Sequence, residues 1–396
     1  MSTFSGVSNR PLDACEILNL TGRKQMSGAN ALLERIQNNV YIIAEMSANH
    51  AGDLNNALRI VRAAKDAGAD CLKIQTYTAD SLTIDCDNEY FRIKGGLWDG
   101  YNLYQLYSEA ATPYVWQAEI KKECEKNGLD FLSTPFDENG ADFLASLDVE
   151  AYKVASFELI HIPLIRHIAR KGKPMLVSCG MGSAEEIGEA VDAMVGEGLS
   201  KEQIILLKCT SEYPAPFEYM NLLTIPEMQA RFGCRVGFSD HSLGTVAAIA
   251  AATLGACVIE KHFCLSRALK SPDSEFSMEP QEFAQMAQDV RTVEKLRGRA
   301  TYELSASEKS SLEFRRSLFV AKHIKQGEIF TTENIRCVRP GQGLKPKHLP
   351  EVLGRKAAVA IEPGTPLSED LIQRQRQRGA SLAETTEKVA KRPNRS

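Results

Sequence analysis

Eight short β-rich apolar runs recur along one stretch of the chain, and nearly all end in a polar or charged residue. They cover residues 40–45, 71–76, 130–134, 151–155, 175–179, 204–209, 235–239 and 256–263. Most are separated by longer segments whose apolar residues repeat at helical spacing, among them 55–67, 114–127 and 184–195. Gly68, Gly128 and Gly196 follow these three segments directly. A glycine placed there accepts the left-handed conformation that ends a helix. Eight strands, each followed by a helix, in roughly 250 residues predict a (β/α)8 TIM barrel. A doubly wound open sheet is the competing architecture. It usually has fewer strands, and no Gly-x-Gly-x-x-Gly turn follows the first run.

The chain then divides into an N-terminal extension (1–39), the barrel (40–298), a small mixed α/β domain (314–372) and a tail (373–396). The small domain is read from short β-like runs broken by Gly and Pro. The tail carries seven Lys or Arg against two Glu and reads as a solvated, disordered segment. Within the barrel, the connection from Tyr77 to Thr112 is unusually long and holds Trp98, Phe91 and several tyrosines. A loop of that length in a compact domain is usually functional, and its content suits a wall over a sugar.

Composition excludes several classes. The net charge of −4 gives no reason to expect a nucleic-acid partner, so affinity for an anion must come from a local site. No run of about 18 apolar residues is present, which argues against a transmembrane helix. The ten cysteines are scattered, with no Cys-x-x-Cys pair, and read as reduced thiols in the cytoplasm.

In a TIM barrel the active site lies at the C-terminal ends of the strands. Here those ends deliver Glu45; Lys73 and Gln75; Ser133 and Thr134; Lys153, Ser156 and Glu158; Ser178; Lys208, Ser211 and Tyr213; Ser239, Asp240 and His241; and Glu260, Lys261 and His262. Lysines supply point charge to a phosphate and hydroxyls add hydrogen bonds, so the set suits a small phosphorylated anion. Alternation puts Lys73 and Gln75 on one face and can turn Lys208 away. His241 and His262 end adjacent strands, beside the Glu45 strand. Two imidazoles with open positions describe a catalytic metal site. The plainer reading is that each histidine bonds a neighbour. His50 is also near the mouth, while His161, His167, His323 and His348 read as surface residues.

The segments IIAEMSANHAGDL, LKIQTYT, FLSTPFD, AYKVASFE, LKCTSEYPAP, GFSDHSLG and VIEKHF follow in order. Together they closely resemble the sialic acid (nonulosonic acid) synthase family, over about residues 40–372. The segments DCDNEYFRIKGGLWDG, LYQLY, TPYVW and KSPDSEFSM are most similar to its pseudaminic acid branch. The resemblance implies condensation of phosphoenolpyruvate with an N-acetylated amino sugar, 2,4-diacetamido-2,4,6-trideoxy-L-altrose in that branch. The legionaminic and N-acetylneuraminic acid branches are the alternatives, and an inactive sugar-binding or assembly protein is a third. The family pattern assigns His241 and His262 to a divalent metal, Mn2+ or Mg2+. It places phosphoenolpyruvate on Lys73, Thr134, Lys153, Ser156, Ser178, Ser211 and Ser239, although the N-acetylneuraminate branch often has Asn at the Ser211 position. It places the sugar on Glu45, Gln75, Glu158, Tyr213 and Asp273. It identifies residues 314–372 as an antifreeze-like (SAF) domain, whose Arg339 reaches the barrel of a partner in a domain-swapped homodimer.

Overall fold

The computed structural model describes residues 28–374. Eight parallel strands follow one another: β1 (Tyr41–Glu45), β2 (Cys71–Thr76), β3 (Asp130–Pro135), β4 (Tyr152–Val154), β5 (Met175–Ser178), β6 (Ile204–Cys209), β7 (Arg235–Asp240) and β8 (Val258–His262). They hydrogen-bond in the order β3-β2-β1-β8-β7-β6-β5-β4. The pairing of β1 with β8 carries the sheet round, and β3 packs alongside β4 to close it. The barrel expectation therefore holds and the open sheet falls away. Each predicted run matches a strand to within two residues at either end.

The helices also lie where the periodicity put them, at Leu54–Asp66, Tyr114–Lys126 and Ala184–Gly196. Gly68 and Gly128 have φ of +85° and +65°, the conformation expected of a helix stop. Gly196 is different. It is the last helical residue, and the chain turns at Gly198 with φ +101°. The Gly-x-Gly sequence let the helix run one residue further before a left-handed residue was needed.

Residues i and i+2 of a strand share a face, and register makes the eight inner faces coincide. The lower layers inside the barrel are apolar: Tyr41, Ile43, Cys71, Leu132, Leu176, Ile205, Leu207 and Val258 cluster there. A helix over Gly28–Asn38 plugs the floor beneath them, through Leu32 and Ile36. Burying each of these two side chains contributes about 1.5–3 kcal/mol. The end of the N-terminal extension is thus part of the barrel, while residues 1–27 lie outside the described residues, as does the tail beyond 374.

Gly237 shows how tightly the interior is filled. A Cβ there would lie 2.7 Å from both Leu207 Cδ2 and Val258 Cβ. The outward faces of the strands meet the surrounding helices in a second, larger apolar cluster that includes Ile42, Ala44, Leu72 and Ile74.

The connection after β2 is not a structureless loop. It holds a one-turn helix (Ala79–Leu82), a hairpin closed by the Arg92–Asn102 bridge, and a helix over Leu103–Ala110. Thr78, Asn88 and Asn102 start its helical turns as capping residues.

The second compact unit begins at Arg299. It pairs β9 (Ser317–Val320) with β10 (Ile335–Val338) antiparallel, around a core of Leu318, Val320, Ile324, Phe330, Ile335 and Leu367. Arg339 follows β10 directly and is exposed. No helix among the described residues is long and apolar enough to cross a membrane.

Candidate active site

The same alternation that packs the barrel floor places Glu45, Lys73, Gln75, Thr134, Lys153, Ser178, Ser239, Glu260 and His262 on the inner faces at the C-terminal end. All but Gln75 are buried. Charges this deep need partners. Lys73 Nζ lies 2.8 Å from Glu45 Oε2 and 3.5 Å from Glu260 Oε1. It also donates to Thr134 Oγ1 at 3.3 Å. Gln75 Nε2 donates to Glu45 Oε1 (3.0 Å) and Ser47 Oγ (2.9 Å). Ser239 Oγ donates to Glu260 Oε1 at 3.3 Å. Lys153 Nζ donates to Ser178 Oγ at 2.6 Å.

The electrostatics follow from this cluster. Burial raises the pKa of Glu45, and the Glu260 charge adds to the rise against the pull of Lys73. Burial works the same way on Glu260, but Lys153 and Lys73 outweigh it and hold its pKa below the usual value. Lys153 is pushed down by burial and lacks a carboxylate contact of its own. Lys153, the buried lysine without a carboxylate contact and beside several hydroxyls, is the charge that an anion there would neutralise.

Gly180 supports the same cradle. A Cβ there would meet Ser211 Oγ at 2.2 Å and Ser156 Oγ at 2.8 Å. Its N–H donates to Ser156 Oγ at 3.1 Å. Only glycine lets the two hydroxyls and this amide converge, near the lysine held by Ser178.

His241 and His262 come together with ring centroids 5.4 Å apart. His241 Nδ1–H donates to the Thr210 carbonyl at 3.0 Å, which leaves Nε2 as the lone-pair nitrogen. Burial lowers the pKa of His241, but Cys209 and the Thr210 carbonyl more than offset it. His262 is held well below its ordinary pKa, first by burial and then by His241 and the lysines. Its buried Nδ1 has no partner. A neutral imidazole with an orphaned buried nitrogen, its ring 5.4 Å from a second imidazole, fits a divalent metal. Among the described residues no group of three or more His, Cys, Asp and Glu gathers in this way. Glu45 is instead engaged by Gln75 at Oε1 and by Lys73 at Oε2.

Beside the histidines a cavity of about 240 Å³ opens towards the long connection. Ser47, Gln75, Glu158, Tyr213, His262 and Asp273 line its inner part, and Trp98 closes one side. The Tyr213 ring lies tilted against that of His241 at 4.3 Å and against that of Trp98 at 5.7 Å. The Trp98 indole N–H donates to the Pro272 carbonyl at 3.0 Å. Burial pushes Glu158 up to about 7, and its Oε2 has no partner. Burial also raises Asp273, which accepts from the Ala48 N–H at 3.4 Å.

The structure thus gathers fourteen of the fifteen residues predicted for the site around one barrel mouth: Glu45, Lys73, Gln75, Thr134, Lys153, Ser156, Glu158, Ser178, Ser211, Tyr213, Ser239, His241, His262 and Asp273. Arg339 belongs to the other compact unit. Lys208 points away, as alternation allowed, and donates to the Cys209 carbonyl. Lys261 and Asp240 also face outward, where they form a buried pair at 2.7 Å. His50 is buried against Trp116 (5.6 Å) rather than in the cavity. His161, His167, His323 and His348 lie at or near the surface, and each makes a local hydrogen bond. Glu260 was named among the strand-end residues but given no role, although it lies two residues before His262, on the same face. Tyr77 and Tyr107 belong to the connection read as a wall over a sugar, whereas Phe136 and Phe157 were missed, because they come from loops with no strand register to place them.

A parallel barrel whose mouth joins buried lysines and hydroxyls to two imidazoles is that of an enzyme handling a small anion. Residues 60–302 match the NeuB family and residues 315–373 match the SAF domain. The chain belongs to the NeuB family. A pseudaminic acid synthase of Campylobacter jejuni is 46% identical over 83% of this chain and 96% of its own length. An N,N'-diacetyllegionaminic acid synthase of the same species is 36% identical over 80% of this chain and 95% of its own length. The crystal structure of N-acetylneuraminic acid synthetase from Leptospira borgpetersenii is 33% identical. It covers 70% of this chain and 92% of that one, with a TM-score of 0.63.

Proposed function

We propose that this protein acts as a pseudaminic acid synthase. It condenses phosphoenolpyruvate with 2,4-diacetamido-2,4,6-trideoxy-L-altrose and water, giving pseudaminic acid and phosphate. The observation that carries this reading is the juxtaposition, in one barrel mouth, of a lysine–hydroxyl cradle and a cavity for an aldose.

Lys153, Ser156, Ser178 and Ser211, with the Gly180 amide nearby, bind the phosphate end of phosphoenolpyruvate. Lys73, Thr134 and Ser239 bind around its carboxylate. The buried lysines hold these charges in place as the reaction proceeds, in a site where water screens them little. Gln75, Tyr213 and Asp273 orient the open-chain sugar, and the orphaned Glu158 oxygen accepts from a donor on it. C3 of phosphoenolpyruvate attacks the aldehyde carbon, and the new C–C bond leaves positive character at C2. Water adds at C2, and phosphate leaves by C–O cleavage. Glu45, its pKa raised by burial, handles a proton at the sugar oxygen. His241 and His262 would hold a divalent cation, Mn2+ or Mg2+. Bound there, it supplies Lewis-acid polarisation of the aldehyde oxygen. In this reading the enzyme works in the cytoplasm as a domain-swapped homodimer, with Arg339 completing the partner's site.

The test is phosphate release from phosphoenolpyruvate with Mn2+ and a panel of aldoses: the trideoxy-altrose, its legionaminic counterpart and N-acetylmannosamine. Turnover should be greatest with the first and should vanish with a chelator. Equal or greater turnover with either of the others would move the protein to another branch.

A further inference from the structure

The lining of the sugar cavity divides by its source in the chain, into polar groups from the barrel mouth and mostly apolar side chains from the long connection. Its inner part presents Ser47, Gln75, Asp273 and His262. Its outer arm is built by Leu82, Leu106, Tyr107 and Ala110 of the long connection, with Phe136 after β3. Tyr77 braces this arm, edge-on to Phe136 at 5.2 Å and to Tyr107 at 6.0 Å. Leu106 is 6% exposed. No lysine or arginine is among the residues that line the cavity, and its charged members are the acids Glu158 and Asp273.

The reaction fixes which end of the sugar goes where. The aldehyde carbon must reach the anion cradle beside His262. The carbon chain then leads outward, and C6 is the atom furthest from the reacting centre. We propose that the arm formed by Leu82, Leu106, Tyr107, Ala110 and Phe136 seats the C6 methyl of the sugar and selects against oxygen at that carbon. This assignment rests on the function proposed above and extends it to the residues that choose among substrates. Apart from the phenol oxygens of Tyr77 and Tyr107, the side chains of the arm offer a hydroxyl only carbon, so it loses most of its hydrogen bonds to water. A phosphate meets no cation there and is repelled by Glu158 and Asp273. An apolar wall rejects an added hydroxyl only modestly, by about 10- to 100-fold in kcat/KM. It rejects a dianion far more strongly.

The experiment compares kcat/KM for three aldoses that differ only at C6: the 6-deoxy sugar, its 6-hydroxy counterpart and the 6-phosphate. The wild-type enzyme, Leu106→Asn and Ala110→Ser are used. The wild type should prefer the 6-deoxy sugar by about 10- to 100-fold over the 6-hydroxy sugar and leave the 6-phosphate unused. Both variants should narrow the preference by slowing the 6-deoxy sugar more than the 6-hydroxy one. Ala110→Ser is the smaller change and decides the matter if Leu106→Asn does not fold. Equal use of the 6-hydroxy sugar by the wild type would overturn the assignment and leave the proposed reaction standing. So would variants that slow both sugars alike. Phosphate release with none of the aldoses would instead remove the proposed reaction, and the assignment with it.

Discussion

At the scale of single residues, His50 and Gly180 carry the sharpest expectations. Burial brings the His50 pKa down to about 4 from 6.5. In the unfolded chain the same imidazole takes up its proton near 6.5. The neutral buried form therefore contributes stability that is fully present above pH 6.5 and is lost as pH falls towards 4. His50→Phe, which cannot titrate, should flatten the fall in melting temperature across that window relative to the wild type. An unchanged slope would mean that His50 does not cause the acid loss. Gly180→Ala drives a methyl group into Ser211 and Ser156. It should raise the KM for phosphoenolpyruvate at least about 10-fold, the effect of one lost charge-assisted contact, with a much smaller effect on the KM for the sugar. A variant with both constants unchanged would show that the two hydroxyls do not bind the phosphate.

At the scale of elements, the outward face of β7 and β8 holds the buried pair of Asp240 and Lys261. Lys261 Nζ also donates to the Ser242 carbonyl at 2.6 Å, and the Ser242 N–H donates to Asp240 Oδ1 at 2.9 Å. These bonds tie the loop carrying His241 to the strand carrying His262. Removing one partner strands a buried charge, so Asp240→Asn or Lys261→Met should each cost about 3–5 kcal/mol in urea unfolding. Asp240→Leu combined with Lys261→Met should recover part of that loss. The two residues also show how far the sequence could be read. Strand ends were visible as apolar runs closing on polar residues, and period-2 alternation sorted most side chains correctly. Lys73 and Gln75 share a face for that reason, and Lys208 does not join them. Asp240 and Lys261 lie beside His241 and His262 in sequence yet face the opposite way. Only register, which depends on neighbouring strands, separates a catalytic position from a structural one there. The long connection was legible as an aromatic wall over a sugar, but not which of its residues meet. Tyr107 and Phe136 meet Tyr77 across a connection whose internal helices and hairpin are set by tertiary packing and by caps such as Asn102.

At the scale of the whole molecule, the barrel and the SAF unit were both legible, one from its strand–helix repeat and the other from its ordered motifs. The small unit has its own apolar core, so its role is separable from the folding of the barrel. If Arg339 completes the site of a partner subunit, two inactive variants should rescue each other. Mixing His262→Ala with Arg339→Ala and allowing subunits to exchange gives mixed dimers with one complete site each. About a quarter of the wild-type rate should return. No recovery after proven exchange would place Arg339 outside the partner's chemistry.

The chain contains two tryptophans, and the fold puts them in contrasting surroundings. Trp116 lies edge-on to His50 and is not among the residues lining the cavity. Trp98 rides on the hairpin between Arg92 and Asn102, lines the sugar cavity and is anchored by the Pro272 carbonyl. The protein thus carries a built-in optical gauge of whether its cavity is filled. Sugar binding changes the solvation of one indole and leaves the other as an internal reference. Replacing Trp116 with Phe would leave an emission signal that reads occupancy directly, without a dye and without turnover.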